Sequence, residues 1–255
     1  MSRVATHLPV VGFGSTLRED RWWVGPVTTV AVILTFIAYA TFRVFENKYF
    51  RAGPYLSPFF SPYLETHGLP FVTPAMLILP APLSFRFTCY YYRKAYYRSF
   101  AMSPPACAVG GIRQGKYNGE RKLLLIQNLH RYALYLAILV LVFLWHDVWE
   151  SVWFPAAAGG TRFGVGGGTI VLFVNTALLT VFTFSCHAFR HLVGGGLNSF
   201  ANAPLGALRH LVWRGVTKLN ASHMAWAWIS LFGVGLSDFY IRMVAAGAFH
   251  DPRLF

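Results

Sequence analysis

Charge is what this 255-residue sequence has least of. Only 12% of its residues are Asp, Glu, Lys or Arg, while 55% are hydrophobic. Average globular usage is about 25% charged and roughly 45–50% apolar, and a mean hydropathy of +0.46 points the same way. Too little polar surface is available for a soluble enzyme domain, and too much apolar surface for a disordered chain. Three cysteines cannot pair evenly, so a secreted disulfide scaffold is excluded as well. Acids are the rarer charges, nine against 22 Lys and Arg, and all nine fall in loops or near the ends of apolar runs. With no carboxylate at mid-run and no repeat at a 20–50 residue period, a transporter or channel lacks its ion path. A nucleotide fingerprint is missing too, since Gly12-Phe-Gly14 stands outside any strand-to-helix turn.

What is there is a set of five apolar runs, at about residues 22–43, 69–93, 123–148, 165–190 and 221–243. Each is long enough to cross about 30 Å of hydrocarbon at 1.5 Å per residue. The expected fold is therefore an all-α integral membrane bundle of five helices in a single domain. Ala38-Tyr39-Ala40 resembles a signal-cleavage site. The polar lead-in and the apolar run are both too long for a signal peptide, so the first run is read as a retained helix. With the N-terminus in the cytoplasm, fourteen cations fall on the cytoplasmic side and six outside, with Arg86 and Arg131 inside runs. That asymmetry satisfies the positive-inside rule and puts the C-terminus outside. The net charge of +13 then reflects membrane topology, not nucleic-acid binding.

Smaller features follow. Pro74, Pro80 and Pro82 should kink the second run. Arg51–Pro62, rich in proline and aromatics, reads as a stiff outer cap, and Gly164–Gly168 as a flexible spacer with an anion site as the alternative. Between Gly196 and Lys218, Leu205, Leu208, Leu211, Val212 and Val216 recur at helical spacing, as in an amphipathic helix at the interface. Asn220-Ala-Ser222 fits the glycosylation pattern but falls on the cytoplasmic side.

Polar groups inside spans are the functional candidates, because a lipid-facing thiol or imidazole gains nothing. Cys89 lies four residues before Arg93, His130 eight after Lys122, Cys186 four before Arg190 and His223 five after Lys218. Although the chain direction alternates, helix rise puts all four within about 6–12 Å of the same interface. Two thiols and two imidazoles, from four different helices at one depth, are a metal-ligand set. Two Cys on one iron and two His on the other is the Rieske form of a [2Fe-2S] centre, although the paired C-x-H motifs of the soluble Rieske domains are missing. Zinc accepts the same donors, but a bundle with its own packing has little use for a structural ion. Read singly, each residue has a plainer meaning, a small buried hydrophobe for a thiol and an interfacial ring for a helix-end imidazole. His187 and His191 share a helix face and compete as ligands. His146 reads as interfacial, His7, His67, His210 and His250 as loop residues, and Cys107 as an unliganded loop thiol.

Four segments carry a resemblance: Tyr55-Leu-Ser-Pro-Phe-Phe-Ser-Pro62, Thr88-Cys-Tyr-Tyr-Tyr-Arg93, Asn128-Leu-His-Arg-Tyr132 and Ser185-Cys-His-Ala-Phe-Arg-His191. Over nearly its whole length the chain resembles the membrane-anchor (cytochrome b-type) subunit of succinate dehydrogenase, respiratory complex II, in its actinobacterial form. The resemblance implies a multi-pass protein of the bacterial plasma membrane. It would dock a flavoprotein subunit and an iron–sulfur subunit on its cytoplasmic face and pass their electrons to a membrane quinone, with the succinate-oxidising site on a partner. The di-haem anchors of this kind take axial histidines from the first, second, fourth and fifth helices. Here the first and second runs hold no histidine. A single b haem on two of His130, His187 and His223 remains the alternative cofactor, and a purely structural anchor the alternative role. For the quinone, Arg86, Arg131, His187 and Trp226 are the candidates by depth, with snorkelling and packing as their plainer readings.

Overall fold

A computed structural model describes residues 12–66, 71–113, 123–156 and 159–254, with side chains described from 128 onward in the third of these segments. His7, His67, the start of the second expected span and the cations Arg3, Lys116, Arg121 and Lys122 lie outside them. Among the described residues, four helices are long and apolar enough to cross a membrane. They are α1 (Val24–Glu46), α5 (Leu123–Glu150), α6 (Gly167–Phe184) and α9 (His223–Ala245). All four match apolar runs of the sequence, and α1 continues unbroken through Ala38-Tyr39-Ala40.

The second run departs from expectation. It forms three short helices, α2 (Pro74–Ile78), α3 (Pro80–Thr88) and α4 (Tyr90–Ala95), so it is no single span over 69–93. Proline has no amide proton, and its ring clashes with the preceding turn, so it is tolerated at a helix start. Pro74 and Pro80 each open a helix at its first position. Proline does not explain the second break. At Cys89 the backbone turns extended (φ −63°, ψ 132°). The fourth run shows the same break. It ends at Phe184, passes through an extended Cys186 (φ −70°, ψ 146°) and restarts as α7 (His187–Arg190). Each restart runs into a π-helical turn, at Tyr96–Phe100 and His191–Gly195.

Arg51–Pro62 is ordered and packs inward. Its strands β1 (Arg51–Ala52) and β2 (Tyr55–Leu56) and the 3-10 turn Pro58–Phe60 drive Tyr55, Leu56, Phe59 and Phe60 into the core. A further expectation is corrected: Gly164–Gly168 is no flexible spacer. The Tyr55 ring comes within 2.5 Å of where a Cβ on Gly168 would sit, so only glycine admits it. Asp251, from the C-terminal tail, accepts the Gly168 amide at 2.8 Å and the Tyr55 and Tyr240 hydroxyls at 2.7 Å each. The anion at this helix start is thus the chain's own carboxylate. The amphipathic segment is helical as α8 (Gly206–Ala221), beginning ten residues later than the sequence pattern, after Leu205 takes a left-handed turn (φ 54°).

Candidate functional site

The four expected donors do meet. Cys89, His130, Cys186 and His223 are 2%, 8%, 2% and 2% exposed. His130 Nε2 lies 3.0 Å from Cys186 Sγ, and His223 Nε2 lies 3.7 Å from Cys89 Sγ. Each contact joins a thiol to an imidazole, where the Rieske pairing anticipates thiol beside thiol. Among the described residues, no three His, Cys, Asp or Glu groups converge tightly enough to hold one ion. The site is two donor pairs side by side.

Both breaks in helix geometry serve this site. Thr88 and Ser185 immediately precede the two cysteines, and both hydroxyls reach a histidine. Thr88 Oγ1 is 2.8 Å from His130 Nδ1, and Ser185 Oγ is 2.7 Å from His223 Nδ1. Phe85 stacks on the His130 ring (centroids 4.6 Å apart, 10° between planes), and Phe182 stacks on that of His223 (5.2 Å, 14°). The sequence signal was a short repeat, Phe85-Arg-Phe-Thr-Cys89 and Phe182-Thr-Phe-Ser-Cys186, of the form F-x-F-[ST]-C. A search at solenoid periods passes over it. The phenylalanine covers a ring, the hydroxyl holds that ring's Nδ1, and the cysteine meets the other half's histidine. Two half-sites, α3 with α5 and α6 with α9, are thereby crossed over one another. Cys186 Sγ also accepts the Ala188 amide at 3.2 Å. Asn220, the glycosylation candidate, is buried and donates to Ser185 O at 2.7 Å, anchoring the second break.

The remaining candidates scatter. Arg131 and His187 are exposed and stand outside the four-donor group. Trp226 is half-buried, and its buried Nε1 has no partner among the described residues. Arg86 donates to Tyr92 Oη at 2.6 Å, Ala227 O at 3.0 Å and Ser230 Oγ at 3.0 Å. Its guanidinium lies 4.6 Å from the Phe182 ring centre. Of the four quinone candidates, Arg86 is the one that lines a cleft of about 650 Å³, together with Phe36, Ser84, Phe87, Tyr92 and Tyr96. Phe182 touches both Arg86 and His223, so Arg86 and Phe182 together link the cleft to the donors. Cys107 is exposed and takes no part in the site.

Residues 24–247 match the family described as actinobacterial succinate dehydrogenase subunit SdhC. The chain belongs to that family. A solved structure, that of the Mycobacterium smegmatis Sdh1 complex in the apo form, contains a chain with 38% identity and a TM-score of 0.85. The alignment covers 100% of this chain and 97% of that one. No curated protein matches. The subunit is accordingly a membrane anchor of succinate dehydrogenase and a multi-pass protein of the cell membrane.

Proposed function

We propose that this anchor carries electrons through an inorganic centre held by Cys89, His130, Cys186 and His223, a Rieske-type [2Fe-2S] cluster, to a quinone in the cleft beside Arg86. The observation that carries the reading is the meeting of two thiols and two imidazoles from four separate elements, each imidazole presenting Nε2 to a sulfur. The donor chemistry suits such a centre: thiolate on one side, neutral imidazole on the other. One zinc is a poorer match, because the donors do not converge on a point. A haem plane is poorer still. Phe85 and Phe182 cover the rings, the Nε2 atoms face sulfur, and His187 is exposed. When bound, a Rieske-type centre exchanges one electron at roughly −150 to +300 mV, low enough in charge to accept from an iron–sulfur donor and high enough in potential to serve a quinone.

The chain's own residues bind, orient and exclude water. The Phe85 and Phe182 rings and the buried Leu134 and Leu231 keep the donor group dry. Arg86 offers the hydrogen-bond donors a quinone oxygen needs, steadied by Tyr92 Oη, which accepts from Arg86 and donates to Ala227 O at 2.6 Å, against the aromatic walls of Phe36, Phe87 and Tyr96. Arg131, His187 and Trp226 stay outside this cleft.

The broken run α2–α4 completes a fifth crossing, with the N-terminus cytoplasmic and the C-terminus outside. Support comes from the fourteen-to-six distribution of cations. The donor group then lies toward the cytoplasmic face, where the flavoprotein and iron–sulfur subunits dock. An EPR and optical spectrum of the purified complex tests the reading. A Rieske-type signal that disappears in His130→Ala and His223→Ala, without a Soret band, is expected. A strong Soret band, or unchanged succinate–quinone activity in the double variant, would overturn it.

A further inference from the structure

Each imidazole of the donor group is held at Nδ1 by a hydroxyl whose single proton is already engaged. Thr88 Oγ1 lies 2.7 Å from Ser84 O and 2.8 Å from His130 Nδ1. Two oxygens at that separation need a proton between them, and a carbonyl has none to give. The hydroxyl proton therefore points to Ser84 O, and a hydroxyl lone pair faces the ring. A short contact from that lone pair to Nδ1 needs a proton as well, and it can come only from the imidazole. His130 is thus the Nδ1–H tautomer. Its Nε2 is a bare lone pair, directed at Cys186 Sγ 3.0 Å away.

The second half-site repeats the argument with different residues. Ser185 Oγ lies 3.0 Å from Phe182 O and 2.7 Å from His223 Nδ1. Its proton belongs to the carbonyl, the ring nitrogen donates, and His223 Nε2 is left bare, facing Cys89 Sγ. An ordinary serine or threonine at a helix end makes the back-bond to its own turn and nothing more. Here the extended cysteine that follows ends the helix at the hydroxyl residue. The same arrangement occurs at both breaks, which lie 97 residues apart in the sequence.

We infer that Thr88 and Ser185 are the positioning residues of the centre, fixing the Nδ1–H tautomers of His130 and His223 and aiming both Nε2 lone pairs at the thiols. The inference deepens the reading of Cys89, His130, Cys186 and His223 as ligands and rests on it. A metal-bound histidine usually donates its other nitrogen to an oxygen that fixes ring and tautomer, and loss of that partner costs about 10–100-fold in metal affinity or activity. The F-x-F-[ST]-C repeat supplies the oxygen and the thiolate from adjacent residues of one chain break.

The test uses the intact complex, purified as the unmutated protein and as Thr88→Val, Ser185→Ala and the conservative Thr88→Ser. The EPR-integrated content of the nitrogen-coupled centre per complex, and pulsed-EPR nitrogen couplings of the reduced centre, are the readouts. Thr88→Val keeps the shape of threonine without its hydroxyl. It should lower centre content about tenfold or more and shift the remote-nitrogen coupling of one histidine, as Ser185→Ala should for the other. Thr88→Ser should restore both. Wild-type content and unchanged couplings in Thr88→Val and Ser185→Ala would overturn the positioning roles while leaving the ligand reading intact. A complex with no nitrogen-coupled centre at all would overturn both. Should a variant fail to assemble, the unmutated complex still decides, since remote nitrogens that carry no proton contradict the inference.

Discussion

The two ends of the bundle bury polar groups on opposite terms. At the end away from the donor group, Asp238 and Arg242 are 0% and 1% exposed, and both are charged residues with every opportunity used. Arg242 Nε reaches both Asp238 oxygens, at 3.0 and 2.9 Å, and Nη1 reaches Glu46 Oε2 at 3.3 Å and the Lys48 carbonyl. Tyr39 donates to Asp238 at 2.6 Å, Ser57 donates to it as well, and Arg43 holds Glu46 at 2.7 Å. The network ties α1, the Arg51–Pro62 loop and α9 together. At the other end the buried groups are thiols and imidazoles, and each Nε2 meets a sulfur, with the Ala188 amide as a further partner of Cys186. A saturated network stabilises the architecture, whereas an unsaturated one has bonding capacity left for a ligand.

The largest effect is expected where saturation is greatest. Arg242→Leu leaves a fully buried carboxylate with two hydroxyls and no counter-charge. Breaking a buried pair costs about 3–5 kcal/mol, whereas replacing both partners with apolar groups is often near neutral. Thermal denaturation of the purified complex should therefore show a heavy loss for Arg242→Leu and a partial return for Arg242→Leu with Asp238→Leu. If the double variant is as unstable as the summed single variants, the network is not coupled in the way its geometry indicates.

Hydropathy made the four uninterrupted spans legible, because each is a long apolar run with its charges at the ends. That Cys89, His130, Cys186 and His223 come near one another was legible too, since helix rise gives each a similar distance from its nearest cation. Three things were not. The breaks at Cys89 and Cys186 lie inside apolar sequence with no proline or glycine to signal them, and tertiary contacts override local propensity there. The Asp238–Arg242 network was hidden because its members sit near span ends, where charges ordinarily meet water. The roles of Thr88 and Ser185 were hidden by scale. A five-residue repeat seen only twice has no period, and its meaning depends on which histidine crosses behind it.

A second, smaller effect sharpens the contrast at the same end. Gly168→Ala puts a methyl group against the Tyr55 ring, which also carries the hydrogen bond to Asp251. Burial, and then that bond, raise the Tyr55 phenol above its ordinary pKa, so it stays a donor at any pH the membrane meets. Overpacking of this kind costs roughly 1–3 kcal/mol. Limited proteolysis should cut the C-terminal tail sooner in Gly168→Ala, because Asp251, Pro252 and Leu254 lose their seat on the glycine segment. Cleavage at the unmutated rate would show that the tail is held elsewhere.

The smallest effect on stability is expected at the donor group, together with the largest loss of chemistry. Cys89→Ser changes one buried atom and keeps the volume. The serine hydroxyl can still donate to His223 Nε2, and a satisfied hydroxyl of this kind contributes about 0.5–1.5 kcal/mol against its burial. Oxygen is a far poorer ligand than thiolate for iron in a sulfide core. The complex should therefore assemble and melt close to the unmutated one, with its spectroscopic signal and quinone reduction lost. The opposite outcome, a melting loss rivalling Arg242→Leu with the signal intact, would mean that Cys89 is a packing residue. The two ends of the bundle would then differ in charge alone, and the bonding capacity left over at the cysteines would have no use.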